Sequence, residues 1–171
     1  MKLQELLQNP KYKQKFVLEK LIQEYLGFDR ATMRVHLDQE IPSEQLEIIQ
    51  TAYQSYIEEK KPLEYILGHV DFFGVPFYVN EHTLIPRPET EYMITAVTEY
   101  ITSLHKEKNE TKDAQNNILL DIGTGCGVLG ISVLLQNPNR FREIFFSDIS
   151  EEALKVAQQN YKKLITNSYN T

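Results

Sequence analysis

Apolar residues in the first 68 positions recur every three or four residues, the spacing that places them on one face of a helix. The two clearest stripes are Val17, Leu18, Leu21, Ile22, Tyr25 and Leu26, followed by Leu46, Ile49, Ala52, Tyr53, Tyr56 and Ile57. Gly27 is placed to end the first of these helices, and Asp29 to cap a short helix after it. Pro42 opens the helix that carries the second stripe, and a brief helix closes at Gly68. The pattern predicts a bundle of helices over residues 1–68.

Short apolar runs replace the helical stripes after this point. The segment DFFGVPFYVNEHTLIPRP is rich in aromatic and β-branched residues, and Asn80 and Glu81 lie between two apolar runs. This composition predicts a β-hairpin that links two domains across residues 69–86. The helix that begins at Pro88 has an apolar face of Met93, Ile94, Val97, Ile101 and Leu104. The polar residues 105–117 that follow have no periodicity and predict a loop.

The remainder of the chain alternates strand, turn, helix, strand and helix. NILLD predicts a buried strand, GVLGISVLLQN a helix and EIFFSD a second strand. Ser150 is placed to cap the last helix. Such alternation predicts parallel strands joined by crossover helices. Because two parallel strands do not make a complete sheet, we expect residues 87–171 to form the first part of an α/β domain and the chain to stop in mid-domain.

Composition narrows the partners and the compartment. The net charge of -6 over 171 residues argues against a general electrostatic hold on nucleic acid. A single cysteine permits no internal disulfide and fits a reducing compartment. The first residues, MKLQELLQNPKYKQK, are too polar for a secretory signal, and no apolar run approaches the ~20 residues that span a membrane. We expect a cytoplasmic protein without membrane contact.

The glycine-rich stretch DIGTGCG carries the candidate chemistry. It follows a predicted strand and opens a predicted helix, so its glycines allow close approach of a ligand to free N–H groups at a helix N-terminus. Asp121, directly before the glycines, would repel a pyrophosphate but could accept hydrogen bonds from an ammonium group. Asp148 ends the second strand about 20 residues after the loop, where an acid can bind both ribose hydroxyls. The pattern favours S-adenosylmethionine as the ligand.

Two other interpretations of the loop stay open, a purely structural glycine turn and a nucleotide-binding oxidoreductase. Val128 breaks the G-x-G-x-x-G spacing of dinucleotide sites, which argues against the oxidoreductase. Cys126 lies where a helix N-terminus can activate a thiol, but methyl transfer from a sulfonium needs no protein nucleophile. The four histidines show no metal-ligand spacing, and we expect no metal.

The chain resembles the peptide chain release factor glutamine methyltransferases over nearly its whole length. PLEYILGHVDFFGVPFYVNEHTLIPRPETE, DIGTGCG and SDIS occur in that order behind a helical N-terminal region, and IPRPETE is the most specific stretch. The resemblance implies an α/β protein with a helical substrate-recognition domain at 1–68, a hairpin linker at 69–86 and the start of a Rossmann-like domain at 87–171. It also implies methyl transfer from S-adenosylmethionine to the side-chain amide nitrogen of the glutamine in a release factor's Gly-Gly-Gln motif.

The resemblance also assigns individual residues to the cofactor. The family's cofactor loop corresponds to Asp121, Gly123, Thr124, Gly125, Cys126 and Gly127, and its ribose-binding acid to Asp148. Arg87, Thr90 and Glu91 correspond to a segment along the cofactor pocket, although an acidic first turn stabilises any helix. The family's Asn-Pro-Pro-Tyr motif, which holds the substrate amide, does not occur in this sequence, so no catalytic residue is assigned. We expect a polypeptide of residues 1–171 alone to be inactive.

Two alternative functions remain beside the release factor enzyme. An adenine-N6 methyltransferase acting on nucleic acid uses the same class of amine clamp, but the acidic charge and the IPRPETE stretch argue against it. The other alternative is a non-catalytic fragment that binds a partner through its helical domain. The resemblance implies a release factor as the protein partner.

Overall fold

The computed structural model describes residues 1–108 and 117–166, and the side chains of residues 1–104 and 117–166. The chain divides into two compact units, Met1–Leu67 and Gly68–Thr171. The first contains α1 Leu3–Gln8, α2 Lys15–Leu26, α3 Arg30–Val35, α4 Ser43–Glu58 and α5 Leu63–Leu67. The second contains β1 His69–Phe72, β2 Val75–Tyr78, a 3-10 turn Pro88–Thr90, α6 Glu91–Lys108, β3 Ile118–Ile122, α7 Val128–Gln136, β4 Glu143–Ser147 and α8 Glu151–Leu164.

The first unit is built around the two predicted helical stripes. Its core joins Val17, Leu18, Leu21 and Ile22 of α2 with Ile49, Ala52 and Tyr53 of α4. Gly27, with a φ of 65°, ends α2, and the Asp29 carboxylate caps α3 by accepting the Thr32 N–H at 2.6 Å. Both caps confirm the sequence prediction. The prediction for Ile57 is wrong: it is 45% exposed because it lies at the edge of the apolar face of α4.

A tight β-hairpin opens the second unit. β1 and β2 are antiparallel with Phe72 opposite Val75, so Phe73 and Gly74 form a two-residue turn. Their φ values of 51° and 75° are the left-handed pair that a type I′ turn requires. The hairpin prediction is therefore correct, but the predicted turn at residues 80–81 is wrong, because Gly74 supplies the left-handed position at lower cost.

The predicted order of strand, helix, strand and helix in the second unit is confirmed. β3 and β4 are parallel, and α7 and α8 lie against the same face of this pair. Gly130 of α7 lies beside the Phe146 ring, and Tyr161 of α8 makes an edge contact with that ring at 5.8 Å between centroids. Ser150 caps α8 by accepting a first-turn backbone N–H at 3.2 Å, as predicted.

The prediction of a buried first strand is wrong for three of the five residues of β3. Side chains alternate along β3, so Asp121 faces α7, whereas Ile118, Leu120 and Ile122 point the other way and are 51, 57 and 76% exposed. A continuous apolar run indicated burial on both faces, but α7 and α8 cover only one of them.

α6 is longer than its apolar stripe indicated. It continues to Lys108, so residues 105–108 of the predicted loop are helical, because a polar final turn carries no apolar periodicity. Residues 109–116 of that loop lie outside the described residues. Ile94 is buried as predicted, whereas Met93 is 53% exposed at the edge of the apolar face. No helix in the described ranges is both long and apolar enough to cross a membrane.

Candidate functional site

The loop between β3 and α7 turns sharply at three glycines. Gly123, Gly125 and Gly127 have φ values of 71°, 56° and 83°, a left-handed conformation that costs a residue with a Cβ about 1 kcal/mol or more. The consecutive N–H groups of Gly123 and Thr124 donate to the Ser147 carbonyl at the end of β4, at 2.7 and 3.0 Å. The loop is thus fixed at the carboxyl ends of both strands, where open α/β sheets bind their ligands.

Asp121 shapes the loop from inside. It is 9% exposed, and its Oδ2 accepts hydrogen bonds from Thr124 Oγ1 at 2.7 Å and from the Gly130 N–H at 2.9 Å. These bonds join the end of β3, the loop and the first turn of α7. The carboxylate was predicted to accept hydrogen bonds from a ligand ammonium group. Its partners in the structure are two protein groups, both on Oδ2, and a hydrogen bond from a ligand ammonium group to this carboxylate stays a prediction.

Asp148 lies beside the loop at the end of β4. Its Oδ1 accepts the Ser150 N–H at 3.0 Å and its Oδ2 the Gly125 N–H at 2.8 Å. These two N–H groups, Ser150 first, hold the pKa of the carboxyl below its ordinary value, so the group is ionised at neutral pH. The structure therefore brings the glycine loop and the second predicted acid together at one edge of the sheet.

Ile149, the next residue, is a candidate site residue that sequence reasoning missed. Its side chain is fully exposed, and it directly follows Asp148, the carboxylate that bonds the glycine loop. Since no neighbour in the described residues covers this aliphatic side chain, it is open to a flat apolar group of a ligand. The sequence contains one indication of this role, because in SDIS an apolar residue directly follows the acid at the end of a strand.

Two family models match the chain in sequence order. The PrmC N-terminal domain matches residues 4–68, and the Methyltransferase small domain matches residues 102–169. The first match covers the helical unit. The second covers the glycine loop and Asp148.

Curated relatives carry the name release factor glutamine methyltransferase. The protein of Enterococcus faecalis is 35% identical over 152 residues, which are 89% of this chain and 50% of that protein. The protein of Flavobacterium psychrophilum is 47% identical over 104 residues, 61% of this chain and 33% of that protein. The protein of Bacillus subtilis is 32% identical over 144 residues, 82% of this chain and 46% of that protein. The chain belongs to the release factor glutamine methyltransferase family.

The chain spans about a third to a half of the length of these release factor glutamine methyltransferases. The segment that the resemblance assigned to the cofactor pocket lies at the start of α6. Arg87 is exposed, and its carbonyl accepts the Thr90 N–H at 2.9 Å. Glu91 Oε1 accepts the Phe73 N–H of the hairpin turn at 2.8 Å. The Glu91 bond joins the segment to the hairpin, and the contact of the segment with a cofactor stays a prediction.

Cys126 is not an activated thiol in this member of the family. It is 1% exposed, and burial raises the pKa of its thiol to about 11. The thiol is therefore protonated at neutral pH and unsuited to nucleophilic attack. Within the described ranges, no cluster of three or more metal-ligating side chains occurs.

Asn160 of α8 is a second residue that sequence reasoning missed. It is completely buried, and its amide bonds Tyr78 of the hairpin and the Cys126 carbonyl of the glycine loop. A signal was present, because Asn160 follows Ala153, Val156 and Ala157 at the spacing of the buried face of α8. A polar residue at such a position is expected to satisfy buried backbone groups.

Proposed function

We propose that the protein containing this chain transfers a methyl group from S-adenosylmethionine to the side-chain amide nitrogen of a glutamine in a peptide chain release factor. The 2.8 Å bond between the Gly125 N–H and Asp148 carries the cofactor proposal, because it joins the two halves of the predicted binding edge. Membership in the family supports the acceptor, since the relatives' name states both the reaction and the protein modified.

The site residues fit the chemical groups of this cofactor. An ionised carboxylate offers about four lone-pair positions, and Asp148 uses two of them for backbone N–H groups, so two remain for ribose hydroxyls. The glycines permit close approach of the backbone, and the N-terminus of α7 favours the carboxylate of the methionine moiety. The Ile149 side chain is fully exposed, and in this proposal it would cover one face of the adenine ring.

S-adenosylmethionine, when bound, supplies a methyl group on a positively charged sulfur that leaves as a neutral thioether. In this proposal the residues of this chain bind and orient the cofactor. Cys126 does not act as a nucleophile, because its thiol is buried and protonated. An amide nitrogen is itself a poor nucleophile, since its lone pair is delocalised into the carbonyl. Positioning and electrostatics must therefore supply most of the rate enhancement.

We also propose separate roles for the parts of the chain. All the predicted cofactor residues lie in the second unit, whereas the first unit is a helical bundle around an apolar core. Residues 1–68 would recognise the release factor, residues 69–86 would link the two functions, and residues 87–171 would contribute to the cofactor domain.

Isothermal titration with S-adenosylmethionine tests the cofactor site. We expect saturable binding to this chain and loss of that binding in Asp148→Ala. Asp71→Ala is the matched control, because it removes an exposed carboxylate from β1 of the same unit. Absence of binding to the wild-type chain, or equal affinity of the Asp148→Ala variant, would contradict the proposed site.

A methyl-transfer assay on the product of the full open reading frame tests the reaction. With methyl-labelled S-adenosylmethionine, we expect label on a release factor that has an intact Gly-Gly-Gln motif. A release factor with alanine in place of that glutamine is the control acceptor. Equal labelling of both acceptors, or labelling of DNA instead, would refute the proposed acceptor.

A further inference from the structure

The buried amide of Asn160 is bonded on both of its polar atoms. Its Oδ1 accepts the Tyr78 N–H at 2.8 Å, and its Nδ2 donates to the Tyr78 carbonyl at 2.9 Å and to the Cys126 carbonyl at 2.8 Å. Since Asn160 has no exposed surface, water does not replace these partners when one of them is lost. One side chain of α8 therefore holds the hairpin and the glycine loop at the same time.

The hairpin register explains why Tyr78 is open to this contact. Antiparallel pairs alternate between hydrogen-bonded and non-hydrogen-bonded positions. The Val79 N–H donates to the Gly68 carbonyl at 3.0 Å, so the neighbouring pair of Tyr78 and His69 is a non-hydrogen-bonded one. The N–H and carbonyl of Tyr78 therefore point away from β1. The Asn160 side-chain amide bonds both of these groups, in the way that the backbone of a neighbouring strand would.

The third bond of Asn160 reaches the glycine loop itself, at Cys126. Cys126 lies between two glycines with left-handed φ values. The Gly127 N–H donates to the Thr124 carbonyl at 2.8 Å, which is a bond within the loop and does not attach the loop to another element. Fixing the Cys126 carbonyl sets the direction of the peptide plane between Cys126 and Gly127. The Gly125 N–H, which bonds Asp148, lies two peptide planes earlier, so Asn160 and Asp148 hold the same short stretch of the loop from its two ends.

We propose that Asn160 is a positioning residue that locks the glycine loop to the hairpin, so that affinity for the cofactor depends on the attachment of the hairpin to α8. The proposal rests on the proposed function, since it concerns the same cofactor loop. It differs from a purely structural role because the hairpin itself becomes a determinant of cofactor affinity.

The first experiment compares two buried asparagines of the second unit by titration with S-adenosylmethionine. Asn160→Ala should raise the dissociation constant by about tenfold. Asn137→Ala is the matched control: Asn137 is 6% exposed, and its Nδ2 donates to Thr98 Oγ1 at 3.1 Å and to the Val133 carbonyl at 2.9 Å, away from the loop. It should lower the thermal unfolding midpoint and leave the dissociation constant within about twofold. Equal effects of both variants on affinity would overturn the proposal.

The second experiment tests the coupling directly. Gly74→Ala strains the hairpin turn through its backbone alone, because φ is +75° and, apart from the two chain neighbours, no atom of the described residues lies within 4 Å of the added Cβ. It should weaken cofactor binding by about threefold in the wild type and have no effect on affinity in the Asn160→Ala background. Fully additive effects in the double variant would show that the hairpin does not act through Asn160.

An isosteric variant covers the case in which the cavity left by Asn160→Ala prevents folding. Asn160→Asp keeps the side-chain volume and an acceptor for the Tyr78 N–H, but a carboxyl group has at most one O–H and cannot donate to both carbonyls, so it should also show a loss of affinity. Wild-type affinity in Asn160→Asp would overturn the proposal. If the wild-type chain itself binds no S-adenosylmethionine, the proposed function fails, which is a different result from an unaffected variant.

Discussion

Gly130 of α7 is a helix position where a single added methyl group should displace its neighbours. A Cβ at this residue would lie 2.7 Å from Phe146 Cε1, 3.0 Å from Asp121 Oδ2 and 3.2 Å from Asp121 Cβ. The first contact is to an aromatic ring already held by Tyr161, and the others are to a buried carboxylate. Neither neighbour is the free end of a flexible chain, so the helix or the strands must move.

Two opposing effects decide the outcome of Gly130→Ala. Alanine is favoured over glycine in a helix interior by about 1 kcal/mol. Overpacking a filled core costs roughly 1–3 kcal/mol, and displacing Asp121 weakens charge-assisted bonds worth about 1.5–3 kcal/mol each. We expect a net loss of about 2 kcal/mol in the free energy of unfolding, because the steric and electrostatic costs together exceed the gain in propensity.

Urea unfolding followed by far-ultraviolet circular dichroism measures this change, since the chain has no tryptophan for fluorescence. Gln159→Ala, at an exposed position of α8, is the control and should change the free energy by less than about 0.5 kcal/mol. Adding Phe146→Leu to Gly130→Ala should recover part of the loss, because the ring edge is removed. A Gly130→Ala variant as stable as the wild type would refute this account of the packing between α7 and the sheet.

Three further predictions concern single side chains. Ser132 Oγ is buried without a hydrogen-bond partner in the described residues, so Ser132→Ala should raise the free energy of unfolding by about 0.5–2 kcal/mol; a loss of stability in urea unfolding would show a hidden partner. The depressed pKa of Asp148 means that its contribution to stability is complete above the unfolded-state pKa of about 4 and is lost as pH falls through the lower folded-state value. The stability difference between wild type and Asp148→Asn should therefore shrink between pH 7 and pH 3 in thermal unfolding, and a constant difference would contradict the assignment. Ile149→Ala should weaken S-adenosylmethionine binding by about three- to tenfold with an unchanged unfolding midpoint, because the side chain is fully exposed; a lowered midpoint would indicate a packing role instead.

The residues whose partners are near in sequence were the ones that could be predicted. Asp29 and Ser150 were identified as caps because a cap bonds an N–H three residues ahead. Asn160 was missed because its partners lie 82 and 34 residues away, so no local window contains them. Asp121 was found as a site residue but given a ligand as its partner, since the Gly130 N–H that it accepts is a backbone group and residue type does not reveal it.

The position of the hairpin turn was predicted wrongly for a related reason. Both Phe73-Gly74 and the segment near Asn80 have turn chemistry, and the choice depends on which cross-strand register buries Phe72 and Phe77. The prediction that β3 is buried was wrong because an apolar run does not reveal how many faces of a sheet are covered.

The outer edge of β2 has a consequence for the behaviour of the protein at high concentration. An exposed strand edge recruits strands of other molecules through its outward N–H groups, which is how many proteins begin to aggregate. On β2 these groups belong to the non-hydrogen-bonded positions 76 and 78. Proline at position 76 has no N–H, and the N–H of Tyr78 is occupied by Asn160. This edge offers no N–H donor to an incoming chain, so the Asn160 side chain that holds the glycine loop also protects the hairpin against β-aggregation.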